Sequence, residues 1–280
     1  MDEHETSGQS PEQDGSSAPT WWGDFRIPFG EARRWQLGPM SLYVQRLSGE
    51  WRMATVHDQG VADERIAVAE PVAEDIDLLS YASVLRFGMA GDDERVTLAP
   101  MLADRAVVST PQKPFYIPTG AETTVFVGSP LWLRISAGQP PVKLSELPVS
   151  RPSDTWFGPS PYRGELCYAS RTACRLRLDE FVLIPHRAVT AVRVRNRSTK
   201  PFLLERLKLP VSYLPLFCAA DGIFWTRDLS FDYNDGEDTA PLRYGGDKPK
   251  WAEGARQIAE SREQAGKNLA VRVFSSLFTG

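Results

Sequence analysis

Prolines and glycines, 22 and 21 of them in 280 residues, cut this chain's apolar runs short. Proline removes a backbone donor and fixes φ, so it ends helices and central strands alike, and interruptions roughly every eight to twelve residues leave room mainly for strands. Between them Val, Ile, Leu and aromatic residues alternate with polar ones, the period of a half-buried strand. Ser41–Ser48 and Trp51–His57 read as a hairpin around Gly49-Glu50, and Thr123–Ser136 as another turning at Gly128 to Pro130. Two segments keep helical spacing instead. Ile76, Leu79 and Ala82 do so within Ala73–Ser83, and Trp251, Ala255, Ile258 and Ala265 along 251–268, with Leu269 next after it. The expected fold is all-β: an antiparallel β-sandwich of one large or two small units, with a C-terminal helix.

Composition divides the chain further. Residues 1–19 carry five acids, no Lys or Arg and no large apolar residue after Met1, so they cannot offset the entropy of ordering and read as a disordered acidic tail. An N-terminal β unit is expected over 21–136. A linker follows over 137–154, where Pro140, Pro141, Pro148 and Pro152 break any continuous ladder. A C-terminal β-sandwich unit then spans 155–250, and a helical, apolar appendage 251–280. Within the second unit, Asn196, Ser198 and Thr199 before Pro201 carry the side-chain chemistry of a sandwich corner.

Charge excludes several function classes. The net charge of -4 comes from the tail; the remainder holds 32 basic against 31 acidic residues, without the excess of a dedicated nucleic-acid binder. The longest stretch free of charge, Leu209 to Ala220, is 12 residues with two prolines, so no transmembrane segment is expected where about 20 apolar residues are needed. The start lacks the basic and apolar regions of a secretory signal, and a cytoplasmic location is expected. Cys167, Cys174 and Cys218 are too far apart for paired zinc ligands and read as free thiols, so neither metal nor cofactor is expected.

No catalytic signature stands out. G-x-G-x-x-G, G-x-x-x-x-G-K-[ST] and G-x-S-x-G are absent, and His57 and His186 lie singly at strand ends. Arg227 to Asp238 resembles a calcium loop out of frame, since from Asp232 the glycine comes one residue early, and a turn at Asn234-Asp235-Gly236 accounts for it. No catalytic residue is assigned, and the chain is read as non-enzymatic.

Three features point to contacts instead. Arg175 and Arg177 alternate with leucines, and Arg193, Arg195 and Arg197 with Val192, Val194 and Asn196. Period two places each set on one strand face, and neighbouring strands would join them into an Arg stripe facing phosphate, an anionic membrane surface or an acidic partner. The acids between Asp221 and Asp247 are the alternative match, within the chain. Second, Asp154–Tyr168 surrounds Trp156, Phe157, Tyr162 and Tyr168 with Gly and Pro, either a rigid grip for a sugar or peptide or a plug closing the sandwich. Third, the apolar end with Val273, Phe274, Leu277 and Phe278 must dock, on its own sheets or on another chain.

The run TWFGPSPYRGELCYASRT, with LSELPVSRPS before it and VRVRNRSTKPFLLERLKLPV after, resembles the uncharacterised family called domain of unknown function 432. The core of its motif falls on Phe157, Gly158, Pro159, Gly164 and Cys167, and the resemblance covers Trp21 to Leu242. It implies no activity. It does imply, through relatives placed beside mechanosensitive channel genes, a soluble partner of a membrane channel complex. The expected function is an accessory or regulatory protein–protein interaction subunit, held at the membrane only through a partner. The partner is another protein such as a membrane channel, or a further copy of the chain in a homo-oligomer. Contact residues are the five arginines, Trp156, Phe157, Tyr162 and the four terminal residues. The alternatives are a carbohydrate or small-molecule binding module using the aromatic loop, then a glycoside hydrolase, which requires two carboxylates facing across a cleft.

Overall fold

Arg187–Asn196 forms a ten-residue strand in which only Arg193 is exposed. A strand buried on both faces needs neighbours along both edges. In the computed structural model, which describes residues 20–265 and 270–272 apart from positions 59, 63, 74–75 and 236–238, both edges are occupied. Glu122–Pro130 pairs antiparallel along one, from Glu122 beside Arg195 to Pro130 beside Arg187. Two short strands share the other edge in parallel register, Phe224–Thr226 beside Ala188 and Val189, and Leu229–Tyr233 beside Val192 to Asn196. Leu216–Cys218 and Arg256–Ala259 extend this seven-stranded sheet past the first, and Arg243–Tyr244 past the second.

Smaller sheets surround it. A five-stranded antiparallel sheet runs in the order Ile66–Pro71, Ala32–Leu37, Met40–Leu47, Glu50–His57, Val84–Gly88. One four-stranded sheet orders Gly23–Arg26, Arg95–Met101, Trp132–Ala137 and Val142–Pro148. Another orders Ser153–Ser160, Arg163–Ala169, Val107–Ser109 and Leu207–Leu209. Two pairs complete the described strands, Phe202–Leu204 with Phe115–Ile117 and Thr239–Pro241 with Ala270–Arg272. The main apolar core gathers Trp21, Trp35, Trp51, Val125, Val192, Leu229 and Val271, side chains from both ends of the chain. A second, on the opposite face of Arg187–Asn196, holds Phe126, Phe181, Val189, Ala191, Phe217 and Trp225.

The all-β expectation holds among the described residues, and so does the hairpin of Met40–Leu47 with Glu50–His57, turning at Gly49 with φ +69°. The C-terminal helix is a correction. Gly254 has φ +63°, and Arg256–Ala259 is a strand completing the open edge of Leu216–Cys218. Ala255 enters the second core while Ile258 and Ala259 pack on the first, a division that one helix face cannot make. Over Ala73–Ser83 the described residues form only one short helical turn, Leu78–Ser80, capped by the Asp77 carboxylate. Thr123–Ser136 is not a hairpin either. Its halves join different sheets, with Pro130 ending the first and buried Leu131 at the corner, where its N–H reaches the His186 carbonyl at 3.3 Å. The stretch read as a linker, 137–154, holds Val142–Pro148, an outer strand with Pro148 at its end, a position where proline costs no ladder bond. Glu122–Pro130 and Arg187–Asn196, on either side of that stretch, are partners in one sheet.

Short strands leave many turns whose carbonyls and N–H groups need partners, and buried polar side chains supply them. Arg46, 1% exposed, donates to the carbonyls of Leu47 at 2.6 Å, Gly91 at 2.5 Å, and Glu50 and Asp93 at 3.2 Å, while its guanidinium lies over the rings of Phe29 and Trp51. Asn196 fills the corner anticipated from sequence. Its amide donates to the carbonyls of Ile117 at 2.9 Å and Lys200 at 2.8 Å, and its oxygen accepts from the Ser198 N–H and hydroxyl at 2.9 and 2.6 Å. Glu50 is clasped by Arg86 and Arg52, whose hydrogen bonds hold its carboxyl down at about 2.

Asn196→Ala strips one corner of four hydrogen bonds and is expected to cost about 2–3 kcal/mol in urea unfolding. Arg26→Ala, which breaks an ion pair whose arginine is 81% exposed, is expected to change stability by less than about 0.5 kcal/mol. Glu50 is ordinarily protonated near 4.5, so the stability its ionised form contributes is present above that pH and lost as pH falls toward 2. Glu50→Gln is expected to flatten the melting temperature across that window and leave a lower plateau at neutral pH.

Candidate functional site

The run Asp154–Tyr168 folds as a hairpin of Ser153–Ser160 with Arg163–Ala169, the outer pair of its four-stranded sheet. Thr155 pairs with Cys167, Trp156 with Leu166 and Phe157 with Glu165, and the register then shifts before Ser160 meets Arg163. Glycine makes that shift possible. A Cβ on Gly158 would lie 2.1 Å from the Arg163 carbonyl oxygen, and one on Gly164 would lie 2.7 Å from both the Phe157 oxygen and the Trp156 ring. The two glycines interlock the strands where any side chain would force them apart.

Alternation then divides the hairpin into two faces. Phe157 and Cys167, both fully buried, form a small third core with Val108. Arg206 and Lys208 close over Phe157, 5.2 and 5.8 Å from the ring centre. The Arg206 guanidinium also donates to the Trp156 carbonyl at 2.8 Å and the Thr155 hydroxyl at 3.2 Å. Lys208, its side chain only 4% exposed, is bound to the Glu165 carboxylate. Burial pushes the Cys167 thiol up to about 11, with the Glu165 carboxylate adding to the shift and Lys208 and Arg206 opposing it. A thiol so placed is protonated at neutral pH and is no nucleophile. Burial likewise raises Cys174 to about 11 and raises Cys218, and all three cysteines are free.

The other face is open. Trp156 is 41% exposed, Leu166 opposite it 47%, and Tyr162 at the tip 94%. The Trp156 indole N–H donates to the Ser160 carbonyl at 2.8 Å, which holds the ring against its own turn. Glu165 and Leu166 also border a cavity of about 380 Å³ with Asp104, Arg105, Lys208 and Tyr213, which neither Trp156 nor Tyr162 lines.

The arginines do not form one stripe. Arg175 bridges Phe126 on Glu122–Pro130, the strand that separates it from Arg193 and Arg195. Arg177 turns to Asp179 and Glu180, Arg195 binds Glu122 at 2.6 Å, and Arg197 lies 4.0 Å from Asp232, which Arg243 also binds. Three of the five thus meet acids of the chain, but only Arg197 meets one between Asp221 and Asp247. Of the turn at Asn234-Asp235-Gly236, Gly236 lies outside the described residues, while the Asp235 carboxylate accepts from the Thr199 N–H at 2.8 Å. Val273, Phe274, Leu277 and Phe278 lie outside them as well; the strand before them, Ala270–Arg272, pairs with Thr239–Pro241. Arg206, Lys208, Glu165 and Leu166 were missed from sequence. Their one signal is local, the period-two spacing of Arg206 and Lys208, and nothing in it points across the fold to Phe157.

Phe157, Gly158, Gly164 and Cys167 thus meet as the buried and interlocked half of one hairpin. A family model described as "Protein of unknown function (DUF432)" matches residues 21–279. The chain belongs to this family. The DUF432 match reaches beyond Leu242, where the resemblance read from sequence stopped, and takes in the C-terminal segment. No curated protein and no solved structure matches the chain. Among the described residues no helix is long and apolar enough to cross a membrane, and no three of His, Cys, Asp and Glu gather as a metal site requires.

Gly158→Ala must push the strands apart at the Arg163 carbonyl and is expected to destabilise the protein by about 2–4 kcal/mol. Its Cys167 thiol should also become accessible. Ellman's reagent is expected to leave the native wild-type thiols unmodified at pH 8 over minutes and to titrate one of them in the variant.

Proposed function

We propose that this DUF432 protein is a non-enzymatic accessory or regulatory subunit that docks onto a protein partner through Trp156, Leu166 and Tyr162. The observation that carries this reading is the exposure of three large apolar side chains on a hairpin whose opposite face is fixed by Phe157, Arg206 and Lys208. Single exposed apolar residues are ordinary, but an aromatic held by its own N–H bond loses little entropy on binding and makes an efficient anchor. Strand addition to the outer edge is a poorer mode here. The Trp156 carbonyl already accepts from Arg206, which blunts the edge as charged side chains commonly do. Side chains, then, do the docking.

A membrane channel is the partner that the family resemblance brings forward, with the chain cytoplasmic and peripheral. A grip on sugar through the aromatic loop has less support, since Phe157 is buried and Trp156 and Tyr162 do not line the neighbouring cavity.

Photo-crosslinking from a benzoylphenylalanine at position 162, in cells that make the protein natively, tests the reading. A stoichiometric crosslink to a different protein is expected, abolished by Trp156→Ala with Leu166→Ala. Because both side chains are exposed, that pair is expected to change the unfolding free energy by only ~0.5 kcal/mol per site. Crosslinks only to a second copy of the chain, or crosslinks that survive the double variant, refute the accessory-subunit reading.

A further inference from the structure

The seven-stranded sheet carries a second feature, remote from the docking hairpin in sequence and made of different residues. A recess of about 220 Å³ is lined by Thr124, Arg193, Asp228, Ser230, Lys250 and Trp251. The register sets Arg193 between Thr124 on one neighbour and Ser230 on the other, and Asp228 immediately precedes that second strand. Gly245 closes behind Asp228: its N–H donates to the Asp228 carbonyl at 2.8 Å, and a Cβ there would lie 3.0 Å from the Asp228 Cβ. Trp251 forms a wall, edge-on to Phe126 with ring centres 5.1 Å apart.

Two groups at this recess lack the partners their neighbours have. Asp228 Oδ2 accepts a long bond, 3.4 Å, from the Lys250 N–H, while Oδ1 is out of contact with solvent and has no hydrogen-bond partner among the described residues. Burial accordingly raises the carboxyl above its usual range, opposed only in part by Lys250 and Arg193. Arg195 and Arg197 each face an acid, but Arg193 forms no ion pair among the described residues. A buried carboxylate oxygen calls for a donor or a cation, and the exposed Arg193 guanidinium, free of an acid, is open to an anion.

We propose that this recess binds a small zwitterion of the α-amino-acid class, its ammonium bonded to the Asp228 carboxylate and its own carboxylate held by Arg193 and Lys250. A simple anion would set its charge against Asp228, and a simple cation would meet Arg193 and Lys250. A neutral sugar would leave the guanidinium unmatched. At about 30 Å³ per water the recess has room for roughly seven waters, enough for an amino acid with a small side chain and too little for a peptide. Thr124 and Ser230 add hydroxyls to bond either end.

Isothermal titration of the full chain with the standard L-amino acids tests this, with L-alaninamide and L-lactate as probes lacking the carboxylate and the ammonium. At least one amino acid is expected to bind with a Kd between about 1 μM and 1 mM. If that ligand is alanine, both probes should bind at least about tenfold more weakly; otherwise the ligand's own amide and hydroxy acid serve. Asp228→Asn and Arg193→Gln should each weaken binding at least about tenfold with unchanged circular dichroism. Asp228→Asn removes a poorly compensated charge, so it is expected to fold. The proposal is overturned if no amino acid binds below ~10 mM, if the amide or hydroxy acid binds as well as the amino acid, or if either variant keeps full affinity. Loss of the docking partner in the crosslinking experiment leaves this result untouched, since the two sites share no residue.

Discussion

Arg187–Asn196 is the constraint on which the other elements depend. Ala188, Val192 and Val194 enter the main core, Val189 and Ala191 the second, and the buried Thr190 hydroxyl is satisfied by Thr226 at 2.8 Å. A strand that serves two cores cannot slip by one residue without exchanging its two faces, so the register of every neighbour is fixed by it. Both its antiparallel and its parallel partners are set by that one alternation. The strand ends where Asn196 turns its side chain inward, and the four bonds made there stand in for ladder bonds that the corner cannot make.

The hairpin that carries the proposed docking face is secured differently. Tyr168 ties its second strand to the main core, but the face with Phe157 has an apolar core of only three buried residues, Val108, Phe157 and Cys167. Two cations make up the difference. The stems of Arg206 and Lys208 cover Phe157, their charges face its ring, and their heads are bonded to the Trp156 carbonyl and the Glu165 carboxylate. Lys208, its side chain buried, keeps its charge partnered by the half-exposed Glu165, which ties the second strand of the hairpin to Leu207–Leu209. Rigidity on the buried face is what leaves Trp156 and Leu166 presented rather than collapsed.

Local features were the legible ones. Alternation and turn chemistry identify the hairpin around Gly49 and the corner at Asn196 because both are settled within a few residues. The helix read over 251–268 fails for a non-local reason: the open edge of Leu216–Cys218 requires a strand, and Gly254 permits the turn that delivers one. The Thr123–Ser136 hairpin fails likewise, since proline and glycine mark a bend without saying whether the chain returns to the same sheet or passes to the next. The Arg stripe shows the same limit. Period two correctly puts Arg193 and Arg195 on one face, but Arg175 forms only an isolated bridge to Phe126, with Glu122–Pro130 lying between it and them.

The outer face of the large sheet separates structural charge from charge left over. Arg195 has Glu122, and Asp232 has Arg243 at 2.8 Å with Arg197 beside it, so these residues neutralise one another. The cheapest completion of that pattern would pair Arg193 with Asp228, since both border one recess. The register works against it. Ser230 occupies the place beside Arg193, and Asp228, two residues earlier, is held back by the turn that Gly245 closes. The buried Asp228 oxygen left without a donor among the described residues costs the fold stability, whereas the exposed Arg193 is solvated at no such cost, so the recess is left with one acid and one base that the proposed zwitterion matches end to end.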